Sequence, residues 1–296
     1  KAALILVLVT YLLILYSTFL TRSGVLGETS VHSFTDLGLS GQLLLFLVLF
    51  LVGCGLLLVR VWKKIPSTDE EMSAYSREFW IFMGATVLCL MAFQIIIPTS
   101  IPVYNELLGL FGIASNLAPP ADPVQFYSKF QLWFAVGIAL LSGTGQFFWW
   151  KRMNFQDFKT EIQKPLMISL LISALIFVLA EVREVPYMIL LTASIYSITA
   201  NFAILLRLKR TNVKLSGGSI AHIGVGFMLI GILFSSGYSK ILSKNNTGLL
   251  YSNEFPDEIN LNNLLLFLNE PREMGDYALV YKGMRKKTTD LGYIDA

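Results

Sequence analysis

Residues 41–61, GQLLLFLVLFLVGCGLLLVRV, decide the fold, because their single charged side chain, Arg60, comes at the end of an otherwise apolar run. A helix that crosses a membrane needs roughly 20 mostly apolar residues to span about 30 Å of hydrocarbon. Similar apolar runs occur before and after this stretch. The seven runs are 2–20, 41–61, 79–101, 130–150, 165–180, 187–206 and 217–236. The sequence therefore predicts an all-α polytopic membrane bundle of about seven spans.

The composition agrees with a lipid environment. Hydrophobic residues make up 54% of the chain and charged residues only 15%, whereas soluble domains carry about 25% charged residues. The net charge is only +3, and the basic residues lie in short clusters between apolar runs, so nucleic-acid binding is not predicted. Cys54 and Cys89 both fall inside apolar runs, and we predict neither a disulfide nor a metal-ligand pair for them.

The positions of the basic clusters predict the orientation of the spans. The clusters follow the second, fourth and sixth runs and comprise Arg60, Lys63, Lys64 and Arg77, then Lys151, Arg152, Lys159 and Lys164, then Arg207, Lys209, Arg210 and Lys214. The alternate loops contain few basic residues, and Pro98 and Pro102 mark the predicted outer end of the third span. Because Lys and Arg near span ends are retained in the cytoplasm, odd-numbered spans should run outward.

The tail is the one segment predicted to lie in water. Residues 275–283, GDYALVYKG, alternate so that Tyr277, Leu279 and Tyr281 share one face of a strand. The run 264–268 is the expected partner strand, with a turn at Glu270 and Pro271 between them. We therefore expect a transmembrane region over 1–236 and a small extracytoplasmic β-rich module over 237–296. The apolar start at Lys1 and the end beyond a strand predict a fragment with a truncated tail.

His222 lies within the last predicted span, in SGGSIAHIGVGFMLIG (216–231). Gly218 and Gly226 precede and follow it by four residues, so all three share one helical face. This arrangement leaves room for a flat ligand beside the imidazole, and a porphyrin with His222 as an axial ligand would fit it. In the alternative interpretation, the glycines allow close helix packing and His222 forms a hydrogen bond across the interface.

His32 is the other histidine of the chain and lies in the loop after the first span, which is predicted to be outside. Val31, Phe34 and Leu37 recur every three residues and would give a helical turn an apolar side. Arg22 could pair with a carboxylate such as a haem propionate. The alternatives are a solvated loop histidine and an arginine that simply reaches the interface.

The chain contains no motif for catalysis by a side chain. It has no serine elbow, Gly-rich phosphate loop, zinc-ligand spacing or CxxCH sequence. Acidic residues are almost absent from the spans, with Glu181 at a span end, so an ion-coupled transporter finds little support. No catalytic residue is predicted.

Three motifs carry a resemblance to a known family. They are TFLTRSGVLGETSVHSF (18–34), AHIGVGFMLIG (221–231) and EPREMGDYALVY (270–281). In this order and spacing they resemble the CcmF-type cytochrome c haem lyase subunit. The resemblance extends over most of the chain, and the first motif is the most specific of the three.

The resemblance implies a function in the bacterial inner membrane. The family receives haem from a chaperone and, with other maturation subunits, promotes its attachment to apocytochrome c outside the membrane. His32 would be an external axial ligand of the substrate haem, and His222 an axial ligand of a resident haem b. Resident haem would reduce the substrate haem iron before the covalent bonds form.

Departures from the family bear on what this chain does alone. The WGxWWxWD segment and the partner histidines of both pairs are missing; in the family they precede the first motif. We therefore expect the isolated chain to be inactive and to hold neither haem with two histidine ligands, with lyase activity confined to the intact protein. The alternatives are a related haem-exporting cytochrome c synthase and a small-molecule membrane transporter.

Overall fold

The computed structural model describes most of the chain. These are residues 1–27, 38–66, 73–148, 154–211, 213–239, 242–245, 247–250, 252, 254–274, 277–284, 287–288 and 294–295. They form two compact units, Lys1–Ile230 and Gly231–Ala296. The sequence predicts a division after residue 236 instead, and that assignment of domains stays a prediction.

Helices dominate the described residues. They are α1 (Ala2–Arg22), α2 (Ser40–Val61), α3 (Arg77–Thr99), α4 (Ile101–Leu110), α5 (Pro123–Gly145), α6 (Phe155–Leu179), α7 (Val185–Thr211), α8 (Gly217–Ile232) and α9 (Asp257–Asn262). Seven of these, with short continuations of α2, α5 and α8, are long and apolar enough to cross a membrane. The prediction of a mostly helical chain with about seven candidate spans is therefore confirmed for the residues that the structure describes.

Two spans begin earlier than the hydrophobic runs predict, because capping side chains set their first residues. At α5 the Asp122 carboxylate accepts a hydrogen bond from the Gln125 backbone N–H at 2.9 Å, and Pro123 follows as the first helical residue. At α6 the Asn154 side chain accepts from the Asp157 N–H at 2.8 Å. Such caps satisfy backbone donors that the first turn leaves open. The first turns of these helices mix polar and apolar residues and lie outside the apolar runs.

The segment that follows α3 is helical although prolines lie on both sides of the boundary. Pro98 lies inside α3, and after Ser100 the chain enters the short helix α4 with Pro102 in its first turn. Proline is tolerated there because the first turn needs no N–H donor. The predicted end of the third span near residue 101 is close to the observed end at Thr99, whereas the helical loop after it was not predicted.

α7 is the packing centre of the first unit. Helices α5 and α6 both pack along it, α3 packs against α5, and α1 packs against α2. Just after α5 ends, two phenylalanines pack along the middle and second half of α7 in one buried cluster: Phe147, Phe148, Tyr196, Ala200, Ile204 and Leu208. Glu161 of α6 also forms an ion pair with Arg207 of α7. This arrangement fixes α7 between two neighbours.

Hydrogen bonds between side chains connect the other helices. The Gln131 amide of α5 donates to the Gln94 side-chain carbonyl of α3 at 2.5 Å. The hydroxyls of Thr99 and Tyr127 lie 3.0 Å apart between the same two helices. Polar pairs of this kind stabilise contacts between helices in lipid.

The second unit contains a small antiparallel hairpin. Strand β1 (Pro271–Met274) pairs with β2 (Tyr277–Val280), with Arg272 opposite Leu279. Two-residue strands β3 (Lys287–Thr288) and β4 (Ile294–Asp295) form a second pair.

The predicted strand at Tyr277 is confirmed. Its predicted partner at 264–268 is wrong, since only Leu268 bridges to Tyr281 and Pro271 opens the true partner strand. Proline is acceptable at the first residue of a strand, because that residue does not need a backbone N–H to pair with the neighbouring strand.

Candidate functional site

His222 lies on the face of α8 that packs into the first unit. Ser219, three residues earlier, is 1% exposed, and Gly226, four residues later, is buried. Because residues three and four apart share a helix face, this spacing turns the imidazole toward the neighbouring helices. The side chain itself is half-buried, so it lies at the edge of the interior.

One nitrogen of the imidazole is held by a hydroxyl of α5. His222 Nδ1 lies 2.6 Å from Ser142 Oγ, and Ser142 is 7% exposed. The other nitrogen, Nε2, makes no hydrogen bond to a described residue and is not among their fully buried polar atoms. The imidazole therefore presents one nitrogen to the protein and leaves the other open to a ligand.

Two residues of α7 support Ser142. Ser197 Oγ donates to Ser142 Oγ at 3.2 Å. The Asn201 amide donates to the backbone carbonyls of Ser142 at 3.2 Å and Ser197 at 2.8 Å. Ser197 and Asn201 are both 0% exposed, and Asn201 Oδ1 is buried without a hydrogen-bond partner. His222, Ser142, Ser197 and Asn201 form a polar network that spans three helices, which we call the histidine network.

Glycines bring the helices around this network close together. A Cβ on Gly143 would lie 2.6 Å from Tyr196 Cε1 and 3.2 Å from Ser197 Cα. A Cβ on Gly226 would lie 2.6 Å from Ile198 Cγ1 and 3.1 Å from the Ser194 carbonyl oxygen. Separations this short leave no room for a side chain, so these glycines are where α5 and α8 touch α7.

The two glycines that were predicted to flank a flat ligand therefore differ in their surroundings. The space beside Gly226 is filled by Ile198, as the alternative interpretation expected. Gly218 is exposed, and a Cβ there would reach only the Gln146 amide, at 3.6 Å. Open space next to His222 therefore remains on the Gly218 side, one turn earlier in α8. Haem ligation by His222 stays a prediction.

The hydrogen bonds of the histidine network join only imidazole, hydroxyl, amide and carbonyl groups, so they include no charged carboxylate, ammonium or guanidinium group. Among the residues that the structure describes, no group of three His, Cys, Asp or Glu side chains could hold a bare metal ion. A single imidazole nitrogen without a partner among the described residues suits a metal that brings most of its own ligands, as a haem iron does.

Of the external candidates, the structure describes Arg22 and not His32. Arg22 is the last residue of α1, and its side chain is exposed. The chain then turns sharply, with Ser23 buried and Gly24 at a φ of 80°. Val31, His32, Phe34 and Leu37 lie outside the described residues. The external site therefore stays a prediction.

Sequence reasoning missed Ser142, Ser197 and Asn201. Each is a polar residue within an apolar span, and that property was the available signal. Each of the three forms a hydrogen bond to a residue 55 or more positions away in the sequence. Only the packing of α5 with α7 and α8 brings these partners together.

Comparisons with known proteins give one consistent set of relatives. The chain is 27% identical to the cytochrome c-type biogenesis protein CcmF of Escherichia coli over 80% of this chain and 36% of that protein. It is 30% identical to the cytochrome c-type biogenesis protein ccl1 of Rhodobacter capsulatus over 57% of this chain and 24% of the relative. The CcmF protein of Haemophilus influenzae is 24% identical, with 79% of this chain and 37% of the relative covered.

These matches confirm the resemblance that the three motifs predict, and with the seven spans they support a multi-pass membrane protein. The chain spans 36% of the length of the Escherichia coli relative. No family model matches the chain. No solved structure matches it either.

Proposed function

We propose that this chain, a relative of the CcmF-type cytochrome c biogenesis proteins, is a haem-binding membrane part of the cytochrome c haem lyase. In this function it promotes the transfer of haem to apocytochrome c outside the membrane and its covalent attachment there. The observation that carries the proposal is the geometry of His222, whose Nδ1 is held at 2.6 Å by Ser142 while Nε2 stays open. No other described side chain in the spans combines a metal-ligating nitrogen with this arrangement.

His222 is the proposed axial ligand of a resident haem b. The residues fit the group, because the open nitrogen, the exposed Gly218 and the Gln146 amide border space beside the imidazole. A haem bound there would supply one-electron redox chemistry at its iron. The polypeptide binds through Nε2, orients the imidazole through Ser142 and excludes water with the surrounding apolar helices.

The external site is proposed to use His32 and Arg22. His32 would provide an axial ligand to the substrate haem, and the exposed Arg22 guanidinium at the end of α1 would contact a propionate. Both positions are outside in the orientation that the basic clusters predict. The β-rich tail would lie on the same side.

The proposed setting is the bacterial inner membrane, where a haem chaperone, apocytochrome c and other maturation subunits are the partners. No described side chain is assigned as a catalyst of bond formation. The polypeptide would act through positioning, which by itself accounts for a large share of many enzymatic rate enhancements.

The test uses the complete gene product, purified from membranes as the His222→Ala and His32→Ala variants. The His222 variant should lose or weaken the resident haem, as measured by its absorption spectrum and by pyridine haemochrome content. The His32 variant should keep the resident haem and lose captured substrate haem. If both variants retain all haem and still mature cytochrome c, the assignment is wrong.

A further inference from the structure

We propose that Ser142 is a positioning residue for His222: its hydroxyl accepts the Nδ1–H of the imidazole and thereby presents the Nε2 lone pair to a haem iron. The inference rests on the proposed function of His222 and assigns a specific task to its neighbour. It identifies a residue that contacts the ligand histidine and not the haem itself.

The choice of tautomer is the first step. A neutral imidazole carries one proton, on either Nδ1 or Nε2, and only the nitrogen without the proton can bind iron. At 2.6 Å, the contact between Nδ1 and Ser142 Oγ is short enough for a strong hydrogen bond in either direction. If Nδ1 donates, Nε2 is free to bind; if the hydroxyl donates, Nε2 carries the proton.

Donation by Nδ1 is the arrangement that ligation requires, because Nε2 can bind iron only when the proton of the neutral imidazole lies on Nδ1. Ser142 Oγ accepts one hydrogen bond from Ser197 Oγ and has a second lone pair for the Nδ1–H of His222. Ser142 can therefore stabilise the tautomer that binds iron.

Helix packing makes this arrangement rigid. Ser197 is 0% exposed, and Gly143, next to Ser142, lies against Tyr196 and the Ser197 backbone. The Asn201 amide fastens the Ser142 carbonyl to α7. Ser142 therefore has little freedom to move away from His222, and the orientation of the imidazole ring is set before any ligand binds.

The consequence for a bound haem follows from the hydrogen bond. Donation from Nδ1–H makes the imidazole a stronger electron donor and favours ferric iron. Without the acceptor, the haem should bind more weakly and its midpoint potential should rise. A serine that served only to connect two helices would affect the stability of the fold and leave the midpoint potential unchanged.

The experiment compares Ser142→Ala with Ser194→Ala in the complete gene product purified with its haem. Ser194 is the matched control, because it is 0% exposed on α7 and its hydroxyl bonds only to its own helix, at Leu190 O. Haem affinity should fall about 10- to 100-fold in Ser142→Ala, in the range typical for loss of a partner to a metal-ligating histidine. The midpoint potential should rise in this variant and stay unchanged in Ser194→Ala.

A second variant, Ser142→Cys, keeps the size of the side chain and replaces the hydroxyl by a weaker acceptor. It should shift the potential in the same direction by less, even if Ser142→Ala does not accumulate. If the potential and haem affinity of Ser142→Cys equal those of Ser194→Ala while His222→Ala loses haem, this inference is overturned and the proposed function stands. If His222→Ala keeps its haem, both fail.

Discussion

Helices α7 and α2 show opposite relations between hydropathy and burial. The candidate span at α2 has a mean hydropathy of 2.8, and none of the α2 residues is buried. The span at α7 is less apolar, at 1.9, yet 56% of its most apolar stretch is buried. The buried residues of α7 include Ser194, Ser197 and Asn201. The less hydrophobic helix is therefore the one at the centre.

This contrast follows from the solvent. In a membrane, an apolar side chain gains little free energy by moving from the lipid-facing surface to the interior of the protein, because its surroundings are apolar in both places. Helices associate through close packing at small residues and through polar contacts, both of which α7 provides to its neighbours. The polar residues of a span, more than its overall hydropathy, thus indicate which helix lies inside and where a site can form.

The largest effect on stability is expected from a side chain added where α5 touches α7. Gly143→Val would place a Cβ 2.6 Å from the Tyr196 ring and 3.2 Å from the Ser197 backbone. Overpacking of this kind costs about 1–3 kcal/mol, and more where backbone blocks the way. We expect a large loss of stability, measured by denaturation with sodium dodecyl sulfate in mixed micelles.

Its matched control is Gly55→Val on α2, where an added Cβ would meet no atom within 4 Å. The stability of this variant should stay within about 0.5 kcal/mol of the unsubstituted protein. Equal destabilisation by both substitutions would contradict the central position of α7.

A smaller effect is expected when the polar contacts of α7 are removed. Asn201→Ala deletes two hydrogen bonds to backbone carbonyls and also removes the unpartnered Oδ1 acceptor. Only the bond to the Ser142 carbonyl joins two helices, and such bonds are worth about 0.6 kcal/mol on average in membranes. The loss of the unpaired acceptor offsets part of this cost. We expect a net destabilisation of about 0.5 kcal/mol by the same denaturation measurement.

The exposed amide of Gln42, in the first turn of α2, provides the comparison. Gln42→Ala should leave the stability unchanged within error. A destabilisation by Gln42→Ala that matched or exceeded the effect of Asn201→Ala would show that buried polar contacts do not distinguish the two helices.

Hydropathy was sufficient to predict the spans, because each must cross the same thickness of hydrocarbon. It did not predict the starts of α5 and α6, which depend on the single capping side chains of Asp122 and Asn154. In the tail, alternation identified β2 but not β1, since the proline and two adjacent charged residues that begin β1 do not alternate between apolar and polar.

The candidate site was predictable only in part. His222 was visible as a rare ionisable residue in an apolar span. Ser142 was not, because serine is common in membrane helices and its contact with His222 joins positions 80 residues apart. The sequence predicted that Gly226 leaves space beside the imidazole. Ile198 fills that space, and it belongs to another helix. Sequence spacing shows which residues share a face and not what packs against it.

The central claim is that His222 itself binds the haem iron, and ligand replacement tests it most directly. His222→Gly in the complete gene product should lose the native haem spectrum, and free imidazole should restore it with a saturable dose response, since the small molecule can occupy the vacated position. An unchanged spectrum in His222→Gly, with haem content equal to that of the unsubstituted protein and no response to imidazole, would contradict the claim.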